Sequence, residues 1–230
     1  MLPKGEGMIV PDEITKSNRK TVSLTILKSG KIVVKAPLKM NEQEINKFIL
    51  LKQNWIQNKL ANVLTVREKF KDVIDYEKVL VFGNKFSILL ADSNAIELAD
   101  NYQIIFPKKI AEKIRLKYLK NWLKKLSKNI LMKRLEELAT KFKFKFHSMK
   151  ISDSKNRWGS CSSKKVISLN YKVIMLPPQI ADYILVHELC HLSQMNHSTK
   201  FWQLVNACYP AVNTAREALK QYSFLLDLYR

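Results

Sequence analysis

In the stretch QIADYILVHELCHLSQ, the residues whose types and spacing can do chemistry are His187, Glu188 and His191. Residues four apart on a helix differ by about 40° in angle and about 6 Å in rise, so both imidazoles can reach one ion from the same face. Glu188 follows the first histidine by one step. That is too far round for an obvious ligand, but it is the position from which a carboxylate hydrogen-bonds a water held by the ion, the place of a general base. The flanking residues are apolar, so the helix is expected to be buried, where ionisable groups are costly unless paired or bound to a metal.

A zinc site needs at least one more protein ligand. His197 is about 280° round from His187 on a continuous helix, and it reaches the ion only if the helix stops near Ser193 to Asn196 and the chain turns back. Ser193, Gln194 and Asn196 suit such a stop. Glu217 is the rival ligand, although Arg216 and Lys220 beside it also offer an ordinary ion-pair role. His147, the remaining histidine, stands at a strand end. With three protein ligands, the fourth position belongs to water, whose pKa falls to about 7 on zinc. Glu188 is then placed to take a proton during attack on a carbonyl or phosphoryl centre.

The elements that must position these residues can be read from periodicity. Val22, Leu24 and Ile26, then Ile32, Val34 and Ala36, alternate around Lys28-Ser29-Gly30-Lys31 as a hairpin should. Asn41 with Glu44 three residues on marks a helix start, and Ile45, Phe48, Ile49, Trp55, Ile56, Leu60 and Val63 predict one helix over about 42–66. Turn residues at Gly83-Asn84, Asp92-Ser93-Asn94 and Asp100-Asn101 predict three short strands between Lys78 and Phe106. Residues 107–142 are helical by period, with Ile110, Ile114, Tyr118, Trp122, Leu126 and Ile130 facing the core. Phe142, Phe144 and Phe146, and the run Val166 to Val173, read as strands, with Arg157 to Ser160 in the loop between them. Pro177-Pro178 opens the helix that carries the histidines. The expected class is α+β, with a β-rich part with one helix over residues 1–106 and a metal-binding part over 107–230.

Lys and Arg number 40 against 20 acidic residues, a formal charge of +20, which attracts anionic partners. The segment 101–150 carries 15 basic and three acidic residues, making the Lys-rich 107–145 region a candidate nucleic-acid surface. No apolar run is long enough to span a bilayer. The N-terminal 20 residues lack a secretory apolar region, and Cys161, Cys190 and Cys208 show no CxxC spacing. A reducing cytoplasm is the expected location.

The segments NRWGSCSSKKVISLNYKVIMLPP and DYILVHELCHLSQMNHSTKFW closely resemble the YgjP-like metallopeptidase-domain family of zincin-type proteins. RKTVSLTILKSGKIVVKAP and the Trp55-Ile56 helix extend the resemblance more weakly to the N-terminal part. The resemblance implies a zincin-like active-site helix on a small antiparallel sheet, Zn2+ bound by His187, His191 and His197, and Glu188 as base. It also implies that a strand beside the helix binds the substrate backbone. Ile167 to Tyr171 is similar to that strand, which makes Ser168 and Asn170 candidate substrate residues, and Arg157 would neutralise an oxyanion or phosphate near the metal.

The leading expectation is therefore a zinc-dependent hydrolase that cleaves peptides. Hydrolysis of a nucleotide phosphoanhydride or phosphodiester, and nucleic-acid binding, are the alternatives.

Overall fold

The computed structural model describes residues 9–27 and 29–229; residues 1–8, part of the N-terminal stretch read for a leader, and Lys28 of the expected turn lie outside the described residues. Asn41 opens a helix as its spacing with Glu44 predicts. Its side chain accepts from the Glu44 N–H at 2.9 Å, and the Glu44 carboxylate accepts from the Asn41 N–H at 2.8 Å. This reciprocal cap satisfies two amides with no intrahelical partner. The helix runs as α1 (Glu42–Leu51) and then, after a break at Lys52, as α2 (Gln53–Lys69), rather than as one piece. At the break the Lys52 N–H bonds to Ile49 O, three residues back, a local tightening of the kind found at helix ends.

β1 (Glu13–Ser17) runs parallel to β3 (Ile32–Pro37), and β2 (Ser23–Ile26) is antiparallel to it with Ile26 opposite Ile32, as the hairpin alternation predicts. One face of this sheet, with Ile26, Ile32, Val34 and Ala36, buries Ile45, Ile49 and Ile56 of the two helices. The chain divides into two compact units, one ending at Lys71 and the next starting at Asp72. A single turn, α3 (Lys71–Ile74), spans the division.

The boundary expected after residue 106 thus falls inside the second unit. Four strands, not three, form its first sheet: β4 (Lys78–Val81), β5 (Asn84–Ala91), β6 (Glu97–Ala99) and β7 (Gln103–Pro107), in the order β4-β5-β7-β6. The β4–β5 turn is pinned to the C-terminal elements: the N–H groups of Phe82 and Gly83 bond to the carbonyls of Ile174 (2.8 Å) and Met175 (3.2 Å). Gly83 has a φ of +79° and would set a Cβ 2.9 Å from Pro177 Cα, so both conformation and space require glycine there.

α4 (Glu112–Lys141) is unbroken over 30 residues, about 45 Å of helix. Its core face differs from the predicted one. Leu119, Leu123, Leu131, Leu135 and Leu138 are buried, while Ile114 and Tyr118 are 37% and 47% exposed. Ser127 stands fully buried within the leucine stripe, and this polar residue hid the stripe from a hydrophobic reading. Part of the basic stretch is used internally: Lys120 and Lys124 bind Asp153 at 2.8 and 3.4 Å, and Arg134 holds Asp182 through two N–H groups at 2.8 and 2.7 Å. The Phe142, Phe144, Phe146 alternation is a turn and extended segment after α4, with φ +59° at Lys143, and the strand begins only at Ser148. No helix among the described residues is long and apolar enough to cross a membrane.

β8 (Ser148–Ser152), β9 (Gly159–Cys161) and β10 (Val166–Asn170) form a small mixed sheet, and α5 (Pro178–Cys190) packs against it through β9. β10 stops at Asn170, short of the expected Val173, because the Asn170 side chain accepts from the Lys172 N–H at 3.1 Å and starts a 3-10 turn over Tyr171–Met175. α6 (Thr199–Cys208), α7 (Val212–Gln221) and a second 3-10 turn (Ser223–Asp227) complete the chain. Lys172 is fully buried, and its ammonium donates to Leu226 O at 3.0 Å, tying the C-terminal turn to the Tyr171–Met175 turn. Lys172→Ala is expected to cost about 2–4 kcal/mol by leaving a cavity and an unsatisfied carbonyl. A fall in the urea midpoint measures this; an unchanged midpoint would show the anchor to be dispensable.

Candidate metal centre

α5 is apolar on nearly every side, with Ile180, Ile184, Leu185, Val186 and Leu189 buried, so the groups it carries sit in a low-dielectric setting. The helix ends at Cys190 with His191 as its C-cap, slightly before the predicted stop. The Leu192 N–H bonds to Leu189 O, and the Ser193 and Gln194 N–H groups to Cys190 O, closing a tight turn. The chain folds back and Ser198 caps α6 by accepting from the Phe201 N–H. That reversal brings His197 Nε2 to 3.1 Å from His187 Nε2.

Nitrogen atoms of His187, His191 and His197 lie within 4.8 Å of one another. Two imidazole nitrogens on a tetrahedral ion at about 2.0–2.1 Å stand about 3.4 Å apart, so the set fits a metal with small side-chain adjustment. His191 Nδ1–H donates to Gln194 O at 3.0 Å, which leaves Nε2 as the nitrogen that could hold an ion. α6 supplies the walls: Phe201 stacks on His191 with centroids 4.5 Å apart, and Trp202 stacks on His197 at 5.6 Å. Burial, then the charges of His191, His197 and Arg216, press the His187 imidazole down to about 3, so it is neutral and ready to ligate.

Glu188 is 5% exposed, and its Oε2 has no hydrogen-bond partner among the described residues. Burial raises its carboxyl to about 8, while the nearby charge of Arg157 pulls it the other way. A buried carboxyl oxygen without a partner, on the residue next to one of three converging imidazoles, is the arrangement expected where a cation or a bound water completes the site. Gly159 of β9 lies directly against this carboxyl: a Cβ there would fall 2.6 Å from Oε1 and 2.7 Å from Cγ.

Glu217 is not among the histidines. It is exposed and paired with Lys220 at 2.6 Å. His147 stands just before β8 and is also outside the set. Arg157 lies in the loop that leads into β9, and that loop is held by Asn170, whose side-chain amide donates to Ser154 O (2.8 Å) and Arg157 O (3.2 Å). Asn170 is fully buried, so the structure gives it a clamping position, not a substrate-facing one.

The substrate strand expected over Ile167 to Tyr171 also needs correction. β10 is the central strand of its sheet, with Ser168 opposite Lys150 of β8 on one side and Ser160 of β9 on the other, so neither ladder edge is open. The edge strands are β8 and β9, and β9 is the one that packs against α5. Asn170 N–H bonds to Trp158 O and Ser162 N–H to Val166 O, so the alternation of an antiparallel ladder turns the N–H and C=O groups of Gly159 and Cys161 away from β10. Cys161 and Cys190 are free thiols whose protons burial holds above the ordinary range, Cys190 up to about 12.

Sequence reasoning gave no site role to Gly159, Phe201 or Trp202, and gave Arg216 only an ion-pair role beside Glu217. Only the short WGSC and KFW motifs stood out, and nothing local in them says what they touch.

Among solved structures, the chain is similar to the metallopeptidase zymogen of Pyrococcus abyssi abylysin, at 24% identity and a TM-score of 0.36, over 39% of this chain and 90% of that one. No curated protein matches the chain. The sequence profile of the YgjP-like metallopeptidase domain matches residues 20–222, from before the first hairpin to the end of α7, and the chain therefore belongs to that family.

Proposed function

We propose that this chain is a zinc-dependent peptidase in which His187, His191 and His197 hold the ion and Glu188 is the general base. The observation that carries the reading is the convergence of three imidazoles, with the residue next to His187 on the same helix burying a carboxyl whose Oε2 has no partner among the described residues. Zinc held there supplies electrophilic polarisation of a carbonyl and of a water molecule. Glu188 takes the proton from the attacking water and passes it to the leaving amide nitrogen. Its low-dielectric pocket keeps its proton affinity near neutrality, where both transfers are possible. Gly159 and Cys161 on the open edge of β9 offer backbone N–H and C=O groups to an extended peptide, which would lie alongside Glu188. Tyr183, packed edge-on to His187, and Phe201 hold the rings in place.

Metal content tests the ligand set. Protein purified without added metal is expected to carry one zinc per chain by elemental analysis. His197→Ala should weaken zinc binding by about 100-fold or more, beyond the usual effect of an outer-shell change. Glu217→Ala should bind zinc like the wild type. Zinc retained in the His197 variant and lost in the Glu217 variant would reverse the assignment.

A further inference from the structure

The peptidase reading leaves one feature of the site unused. Arg216 of α7 lies over Trp202, with Cζ 4.8 Å from the ring centroid, and that indole in turn lies 5.6 Å from the His197 ring and 5.8 Å from the His187 ring. The guanidinium is therefore one ring removed from the metal ligands, on an element that presses against α5. The adjacent carboxylate does not neutralise it, because Glu217 is turned to Lys220. Arg157, in the loop entering β9, has no carboxylate partner among the described residues either, and its loop is held by the Asn170 clamp.

A guanidinium held over an aromatic ring has N–H groups to offer a planar two-oxygen anion and loses less freedom when it binds one than an unheld side chain does. Its charge reaches the site, where it bears on His187 and Tyr183, as that of Arg157 bears on Glu188. The whole chain, at +20, adds a field of the same sign.

We infer that the site selects acidic peptides, with Arg216, held over Trp202, as a specificity-determining residue that binds a substrate carboxylate and Arg157 as a second cation on the Glu188 side. A peptide, not a nucleotide, is the class chosen, because the open edge of β9 beside Glu188 matches an extended backbone. The inference rests on the peptidase reading above.

The test uses zinc-loaded full-length protein and fluorogenic peptides that differ only in Glu or Asp against Gln or Asn. Binding is measured on Glu188→Gln and turnover on the wild type. Acidic peptides are expected to bind Glu188→Gln about tenfold or more tightly than their amide counterparts, since a charge-assisted bond is at stake, and to weaken with added salt. In wild type the preference should appear in KM. Arg216→Ala should lose most of it with zinc content unchanged, and Arg216→Lys should recover part. Equal binding of acid and amide peptides, or discrimination that survives Arg216→Ala/Arg157→Ala, overturns the proposal. So does a nucleoside triphosphate that outcompetes every acidic peptide. Acidic peptides that bind yet are never cut would instead remove the peptidase reading and leave the anion site standing, while chelator-sensitive cleavage with no acid preference would do the reverse.

Discussion

Replacing Glu188 by Gln is expected to lower peptide hydrolysis by about 10³-fold or more while the protein still binds one zinc. Gln keeps the shape and loses the proton-accepting oxygen, and general-base contributions are typically 10²–10⁴-fold. The residue is no ligand, since the three imidazoles converge without it, so zinc content should not fall. The loss should lie in kcat with KM little changed, because a base acts on the transition state and not on ground-state binding. Wild-type turnover in Glu188→Gln would remove the residue from the mechanism.

The same substitution has a second expected consequence in metal-free protein. The Glu188 carboxyl is raised from 4.5 to about 8 by burial. Between those values the folded state keeps a proton that the unfolded state has released, so stability falls as pH rises across that window. Glu188→Gln removes this slope. Chelator-treated variant should therefore be more stable than chelator-treated wild type, by little near pH 4.5 and by a few kcal/mol near pH 8. His187 works in the opposite sense, since its lowered folded value makes stability fall as pH drops below 6.5 toward about 3. Both proteins contain His187, so the difference between their denaturation curves isolates the carboxyl. Parallel pH profiles would mean that Glu188 is ionised in the folded state without metal.

What was legible in the sequence was what is local in it. His187, Glu188 and His191 sit within one turn and a half of a helix whose apolar character announces burial, and Asn41 with Glu44 states its own cap. The α+β class, the hairpin and the helix after Pro178 followed from period and punctuation alone. His197 needed a chain reversal, and the polar residues after His191 signalled it.

Features set by distant partners were not legible. The alternation of β10 is the same whether a strand is central or at an edge; its central place depends on β8 and β9, to which nothing in its own residues points. The core face of α4 was misread because Ser127 interrupts its leucines. The strands at 78–107 fall with the second unit because the Phe82-Gly83 turn bonds to Ile174 and Met175, a contact spanning about ninety positions. Trp202, and Arg216 over it, come near the histidines only when α6 and α7 are laid against α5.

Gly159 shows how far such a distant contact can control the chemistry. Its φ is not in the left-handed region, so backbone freedom is not what calls for glycine; space is. A methyl group there would sit 2.6 Å from Glu188 Oε1 and 2.8 Å from Cδ, closer than real contacts allow, so either the carboxyl rotates or β9 moves. Gly159→Ala is expected to lower kcat by about 100-fold, the scale of a 1 Å misplacement of a catalytic group. It should also cost about 1–3 kcal/mol of stability as overpacking. Zinc content should hold, because the three atoms nearest the new methyl all belong to Glu188. A merely structural role would move stability and leave kcat in the surviving folded protein unchanged. Shortening the base separates the two: Gly159→Ala/Glu188→Asp should be more stable than the sum of its single variants predicts, because the withdrawn carboxyl makes room for the methyl. Strict additivity in that cycle, with kcat of Gly159→Ala near wild type, would show that the two groups are not in contact in solution and that the edge strand does not position the base.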